Sequence, residues 1–506
     1  MSSPSSDELC HDCAEYYPVV TIGAGFGGII IAHQLKIELG IDNFRVFERQ
    51  SAVGGTWWIN RYPGIACDIP APFYSLSFSQ NPNWSSFYPS GPEIDAYANN
   101  VVDKHGLRDH ISLNTAVISC QWDDNAKARQ EHIKAYGYES VYTNEVRVAC
   151  KVLVSAVGGL IELAPWPSND PHANLRDKHI IVVGTGCSTA QLVPKLLEDE
   201  IGAASVTQLM REPPWVLPRV QPPVLGDQLW STLAPSLCNY VPGFMQASRL
   251  VTAAATEFDF MLFGISWLSS WRRGKLQKAL IGHIKGTAPE KYHDRRIYDT
   301  EWFLSMHDLR FELTTLSLTS VDETSVTLDP GNKTHASERV LGGPQLYRGT
   351  ALDGFPNLFV LFGPNSFTGH SSMILGLENQ ANHAIQLMKP ILSNNAHTID
   401  IKHEPVVKYN NEVQQALEKT VWNSGGCSSW YITSEGHNSV SYPYSMIWQT
   451  LRFMFPTWSH WRVTWTRRGL LKQRTRAFHL GLQQPEMSQQ FQLHVNHQPL
   501  VAISWK

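Results

Sequence analysis

The chain has 506 residues, with 41 Lys and Arg against 45 Asp and Glu and a formal net charge of −4. Such a balance gives no broad basic field for nucleic acid or for an acidic membrane surface, and it leaves cofactors and small apolar molecules as the expected partners. The length predicts roughly two to four domains or one interwoven body, and eight cysteines are too sparse for a disulfide scaffold and point to a cytoplasmic, reducing location.

Residues 1–16 are expected to be a disordered tail. MSSPSSDELCHDC has no basic-then-apolar signal pattern, and Cys10 and Cys13, which flank His11, lack a second pair at metal-ligand spacing, so no metal is expected. Tyr17–Ile22 has strand character and runs into Gly23-Ala24-Gly25-Phe26-Gly27-Gly28, after which IIIAHQLKIEL has helical spacing. A G-x-G-x-x-G between strand and helix is the dinucleotide fingerprint: Gly23, Gly25 and Gly28 permit a tight turn and let backbone N–H groups meet a pyrophosphate. A second strand, Phe44–Phe47, ends in Glu48, twenty residues after Gly28. A carboxylate there accepts hydrogen bonds from ribose hydroxyls, which suits a ribose without a 2′-phosphate, as in FAD or NAD.

GGTWWINRYPGIACD, residues 54–68, follows. Gly54 and Gly55 allow close backbone approach, and Trp57 and Trp58 beside Arg61, Tyr62 and Pro63 form a wall for a flat ring. A second fingerprint then opens at HIIVVGTGCSTAQLV, residues 179–193: Gly184-Thr185-Gly186-Cys187-Ser188-Thr189-Ala190, with Thr189 in place of a third glycine. Its next strand, SVTQLMR, ends not in an acid but in Arg211, twenty-two residues past Thr189, where a guanidinium takes a 2′-phosphate and selects NADPH. Two nucleotide sites with opposite charge partners imply electron flow from one to the other. Residues 244–271 are the most apolar long run, but Arg249, Glu257 and Asp259 interrupt it. We expect a buried or lid-forming helix pair and no transmembrane segment; a weak peripheral membrane contact through Arg272, Arg273 and Lys275 stays open.

G-G-x-W followed by R-Y-P-G-x-x-C-D resembles the class B flavoprotein monooxygenases and, within them, the Baeyer–Villiger monooxygenases. The likeness extends through APEKYH, DTEWF, ELTTLSLTSV, GGPQLYRGTALDGFPNLFVLFGPNSFTGHSSMI, GGCSSWY and NSVSYPY and points to the fungal branch that acts on polyketides and terpenoids. It implies bound FAD and NADPH, a ketone and O2 as substrates, and an ester or lactone as product. It also implies catalytic roles for Arg295, in KYHDRRIYD, and for Asp68, whose carboxylate orients that guanidinium beside the flavin. Gly55, Thr56, Trp57, Asp68, Tyr74 and Val117 join the flavin contacts, Ser188, Ala190 and Gln191 join the NADPH contacts, and Trp430 lies near the nicotinamide.

Three family segments are missing. No F-x-G-x-x-x-H-x-x-x-W precedes the second fingerprint, the loop before Arg295 is short with Asp294 in a lysine's place, and a D-x-x-x-x-A-T-G-F strand is absent before Gly342. We expect that strand's loss to leave the flavin sheet with an open edge. The expected architecture is α/β, two doubly wound Rossmann-like dinucleotide-binding domains plus a helical lid. The flavin domain is split, with residues 17–165 as its first part and 321–465 as its second part and substrate region. The NADPH domain, 175–320, is inserted between them with helices at about 225–290, and 466–506 form a tail. Two other functions stay open: oxygenation of nitrogen or sulfur, or hydroxylation, on the same scaffold, and a non-catalytic flavoprotein. Oligomeric state is not readable.

Overall fold

A computed structural model describes residues 15–123, 128–135, 145–159, 175–184, 186–210, 226–287, 289, 306–314, 317–321, 326–329, 345–369, 371–424, 431–433 and 436–479. The structure's first described element is β1 (Glu15–Ile22), whose Val19 and Val20 are fully buried on opposite faces, Val19 in the helix-covered main core and Val20 against Phe47, Val117 and Leu153. Next comes α1 (Phe26–His33), buried on every side, so Ile29, Ile30 and Ile31 each contribute about 2 kcal/mol of burial to the core. β2 (Phe44–Phe47), α2 (Thr56–Ile59), α3 (Gly91–Lys104) and β3 (Ile111–Ser112) follow. β1 pairs in parallel with β2, Val19 opposite Phe44, and β2 pairs in parallel with β3.

β4 (Thr115–Asp123), β5 (Ala128–Ala135) and β6 (Glu145–Ser155) form an antiparallel meander. β6 is long enough to serve three neighbours. It lies parallel to β1, its first half pairs with β5, and its last residues, Leu153–Ser155, are left to another strand.

The second unit has β7 (His179–Val183), α4 (Cys187–Leu197) and β8 (Ser205–Leu209), then three helices: α5 (Gly226–Tyr240), α6 (Phe244–Phe260) and α7 (Trp267–Thr287). β9 (Phe311–Thr314) returns to this sheet, giving the parallel order β7-β8-β9. Its own core joins Val193, Leu196, Val206 and Phe311 with Leu280 of α7, so the helical insertion is anchored here. A hairpin of β10 (Ser317–Val321) and β11 (Val326–Asp329) stands apart.

β12 (Leu358–Val360) then crosses back and pairs in parallel with the end of β6, Leu358 opposite Leu153. After it come α8 (Met373–Leu392), β13 (Ala396–Ile401), α9 (His403–Leu417), α10 (Val421–Ser424), α11 (Met446–Met454), β14 (Trp461–Trp465) and α12 (Arg467–His479). The main core lies where α1, α3, α8 and α9 cover the first sheet.

Two details differ from the sequence expectations. β1 begins at Glu15, inside the expected tail, because Glu15 and Tyr16 pair with Val148 and Ala149. The expected C-terminal tail begins with α12, which is fixed where Thr466 donates its N–H to the Asn395 carbonyl. Among the described residues both sheets end in a strand with one partner: β12 pairs only with β6, and β7 pairs only with β8.

Candidate dinucleotide sites

The first glycine turn is closed by backbone. Gly23 has φ +98°, and a Cβ there would stand 2.6 Å from the Ala156 carbonyl oxygen. A Cβ on Gly28 would overlap the Gly23 carbonyl oxygen, and one on Gly25 would touch Gly55 at 3.5 Å. With no side-chain cap on α1, the N–H groups of its first turn are left for a ligand. Glu48 is buried beside them, its carboxylate accepting N–H bonds from Ala24 at 2.7 Å and Gln50 at 2.8 Å. These bonds fix the carboxylate at the end of β2 while leaving it lone pairs for ribose hydroxyls.

The aromatic wall stands next to this turn. The Trp57 indole donates to the Tyr74 hydroxyl at 3.1 Å, and Tyr74 meets Phe26 edge to face at 6.2 Å. Burial pushes the Tyr74 phenol well above its ordinary range, so it stays a neutral donor and acceptor. Gly55, at φ +58°, turns the chain into α2, and Thr56 accepts from the Asn60 side chain at 3.0 Å. Val117 lies one layer away, on β4 against the small core of Val20, Phe47 and Leu153. Sequence reasoning missed a further feature: the N-terminus of α8, where Ser371 and Ser372 are buried with hydroxyls that have no protein partner. Leu377, one turn in, reaches to 3.6 Å from a Cβ placed on Gly27, so this helix end flanks the glycine turn. The motif GHSSMI was the available signal. Orphaned hydroxyls, free N–H groups and Glu48 together fit the phosphate, ribose and heterocycle of a dinucleotide.

The second turn is built differently. Gly184, at φ +103°, and Gly186 have nothing within 4 Å of an added Cβ, so the turn faces open space. The Thr189 hydroxyl donates to the Gly186 carbonyl at 2.8 Å, and Ala190 is buried behind it. Gln208, which no motif signalled, is fully buried on β8 and donates to the Gly184 carbonyl at 2.8 Å, locking the turn. Thr185, Arg211, Arg295 and Trp430 lie outside the described residues.

The two units meet at the loop from Arg61 to Asp68. Gln191 of α4 donates to the Ala66 carbonyl at 3.0 Å and accepts from the Ala66 N–H and the Tyr62 hydroxyl, both at 3.3 Å. A Cβ on Gly64, at φ +82°, would stand 2.6 Å from the Gln191 carbonyl. The amide of Gln191 is therefore engaged with the flavin-side loop. Burial raises the hydroxyls of Tyr62 and Tyr431; Ser188 lowers Tyr62 by hydrogen bonding, and the charge of Asp68 raises both. Asp68, Tyr62, Ser188, Gln191 and Tyr431 thus share one seam. Arg61 faces away from it, over the Trp58 ring at 3.8 Å and 3.6 Å from Asp95.

Residues 21–89 match the family model of the NAD(P)-binding Rossmann-like domain. A Baeyer–Villiger monooxygenase of Streptomyces coelicolor is 29% identical over 476 residues, covering 85% of this chain and 89% of its own length. This chain is a relative of the Baeyer–Villiger monooxygenases. The FAD-binding monooxygenase ktnD of Aspergillus niger is 28% identical over 494 residues, with 85% of this chain and 79% of its own covered. The monooxygenase fold is shared too. The polycyclic ketone monooxygenase of Thermothelomyces thermophila superposes with a TM-score of 0.70 at 17% identity over 91% of each chain. An oxidized steroid monooxygenase bound to NADP superposes with 0.69 at 20% identity, covering 89% of this chain and 100% of its own.

Proposed function

We propose that this chain is an FAD- and NADPH-dependent monooxygenase that inserts one atom of O2 into a ketone, giving an ester or lactone, in fungal polyketide or terpenoid metabolism. The observation that carries it is the pair of glycine turns of unlike build joined through one loop: a tight turn beside the buried acid Glu48, and an open turn clasped to it by Gln191. The fungal polycyclic ketone monooxygenase that shares the fold supports the ketone, and the fungal FAD-binding monooxygenases among the relatives support the fungal setting.

Gly23, Gly25 and Gly28 would admit the FAD pyrophosphate, Glu48 its ribose, and the α8 N-terminus the electron-rich edge of its ring. Gly184, Gly186 and Ser188 would take the NADPH pyrophosphate, and Arg211 its 2′-phosphate. When bound, FAD supplies the redox chemistry between NADPH and O2. The protein's part would be to orient: Asp68 would pair with the Arg295 guanidinium and direct it as a donor, and the Trp57–Tyr74 wall would keep water out. Sparse cysteines support a cytoplasmic enzyme.

The experiment is Arg295→Ala. NADPH-driven flavin reduction should persist while ester or lactone product disappears, and undiminished product would remove Arg295 from the mechanism. Among the described residues no strand meets the second edge of β7, which favours one further reading, a flavoprotein that holds FAD without turning over NADPH; flavin reduction by NADPH in the parent protein decides against it.

A further inference from the structure

α6 is built inside out. Two of its three charged side chains face the protein: Arg249 donates to the Pro72 carbonyl at 3.5 Å and to the Ser75 carbonyl, and it lies 3.6 Å from Glu378. Glu257 accepts the Met446 N–H at 2.8 Å. The outward face instead carries Leu250, 71% exposed, with Val251 and Phe258. The apolar surface continues through Met261 and Ile265 to Trp267, 79% exposed, and Trp271. A soluble helix ordinarily presents the opposite arrangement, and an apolar patch of this extent marks an interaction surface.

Cations rim the patch. Arg272 sits over the Phe258 ring at 4.0 Å and donates to the Phe258 carbonyl, joining α6 to α7. Lys275 stands 3.9 Å from the Trp271 ring, and Lys278 follows one turn on. α7 contains Arg272, Arg273, Lys275, Lys278 and Lys285 and no Asp or Glu, in a chain whose net charge is −4. Asp259, 4.0 Å from Arg272, is the acid at this edge. Trp beside Lys and Arg at the border of an apolar face is the composition of an interfacial helix. A second copy of this chain fits less well, since a two-fold contact through the patch would set the cationic α7 near its own copy. At the same α6–α7 turn a cavity of about 670 Å³ opens, lined by Phe260, Met261, Phe263 and Leu268 and, across from them, Lys419 and Tyr444. Among the described residues no helix is long and apolar enough to cross a membrane, so the contact is with the surface.

We propose that the outward face of α6, the turn after it and the start of α7 dock on an anionic lipid bilayer, with Leu250, Phe258 and Trp267 in the acyl boundary and Lys275 and Lys278 at the headgroups. This goes beyond the proposed reaction and stands or falls separately from it. The test is co-sedimentation of the full-length, FAD-supplemented protein with vesicles of phosphatidylcholine alone or of phosphatidylcholine with phosphatidylserine, at low and high salt. The protein should pellet with the phosphatidylserine vesicles, and salt should release it. Lys275→Gln with Lys278→Gln should weaken binding roughly thirtyfold, and Leu250→Ser with Trp267→Ser roughly tenfold or more. Circular dichroism checks that each variant is folded. Absence of pelleting, pelleting indifferent to phosphatidylserine, or binding unchanged in both variants would each overturn the proposal, as would a dimer in light scattering that Leu250→Ser with Trp267→Ser dissolves while lipid binding is absent.

Discussion

At Gly28 there is no room for even one more carbon: a Cβ would overlap the Gly23 carbonyl oxygen, which itself belongs to the turn. Gly28→Ala must therefore open the first fingerprint, at a cost on the order of 1–3 kcal/mol, and the purified variant should carry little FAD by its absorbance ratio. At Gly184 the surroundings are open and only the backbone angle, φ +103°, resists a side chain. Gly184→Ala should cost about 1–3 kcal/mol of strain, raise KM for NADPH and leave FAD content as in the parent, as steady-state kinetics and absorbance will show. Glu48 and these glycines were legible because the ligand dictates their spacing. Gln208 was not, because a glutamine inside a strand looks like any polar residue until the sheet brings it to the Gly184 carbonyl. Gln191 was assigned to the nucleotide from its motif, yet its amide bonds to Ala66 and Tyr62 across a seam that no local pattern encodes.

Among the elements, α8 links packing to pH. His383 is fully buried there, 3.3 Å from the Phe453 carbonyl, and burial together with Arg348 lowers its pKa to about 3. The folded value lies below the ordinary 6.5, so the neutral imidazole's stabilising contribution is complete above pH 6.5 and is lost as pH falls toward about 3. Between those limits this one group makes stability fall by up to about 1.4 kcal/mol per pH unit. His383→Phe should flatten that part of the curve in urea unfolding followed at several pH values. Sequence patterns marked the strands and helices around the two glycine turns but not the partners of those strands. An apolar run does not reveal which sheet a strand joins, because buried parallel strands share one signature; among the described residues β12 and β7 each have a single strand partner. The 244–271 run lies in two successive helices, as expected, but Leu250, Phe258 and Trp267 face outward while Arg249 and Glu257 find their partners inside. α12 went unread since its charges outnumber its apolar positions.

For the molecule as a whole, Gln191 supplies three of the hydrogen bonds that join the second glycine turn's helix to the loop from Arg61 to Asp68. Gln191→Ala should leave FAD bound and slow its reduction by NADPH on the order of tenfold, as expected when about 1–2 kcal/mol of positioning is lost; stopped-flow absorbance measures it directly. The central claim is that electrons pass from NADPH through FAD to O2 and that one oxygen atom enters a ketone. Its most direct test is turnover of the purified, FAD-loaded protein with NADPH, a polycyclic ketone and isotopically heavy dioxygen, with the product weighed by mass spectrometry. The account predicts NADPH consumption that the ketone accelerates and an ester or lactone carrying one heavy oxygen atom; flavin that NADPH leaves oxidised, or product without the label, would contradict it.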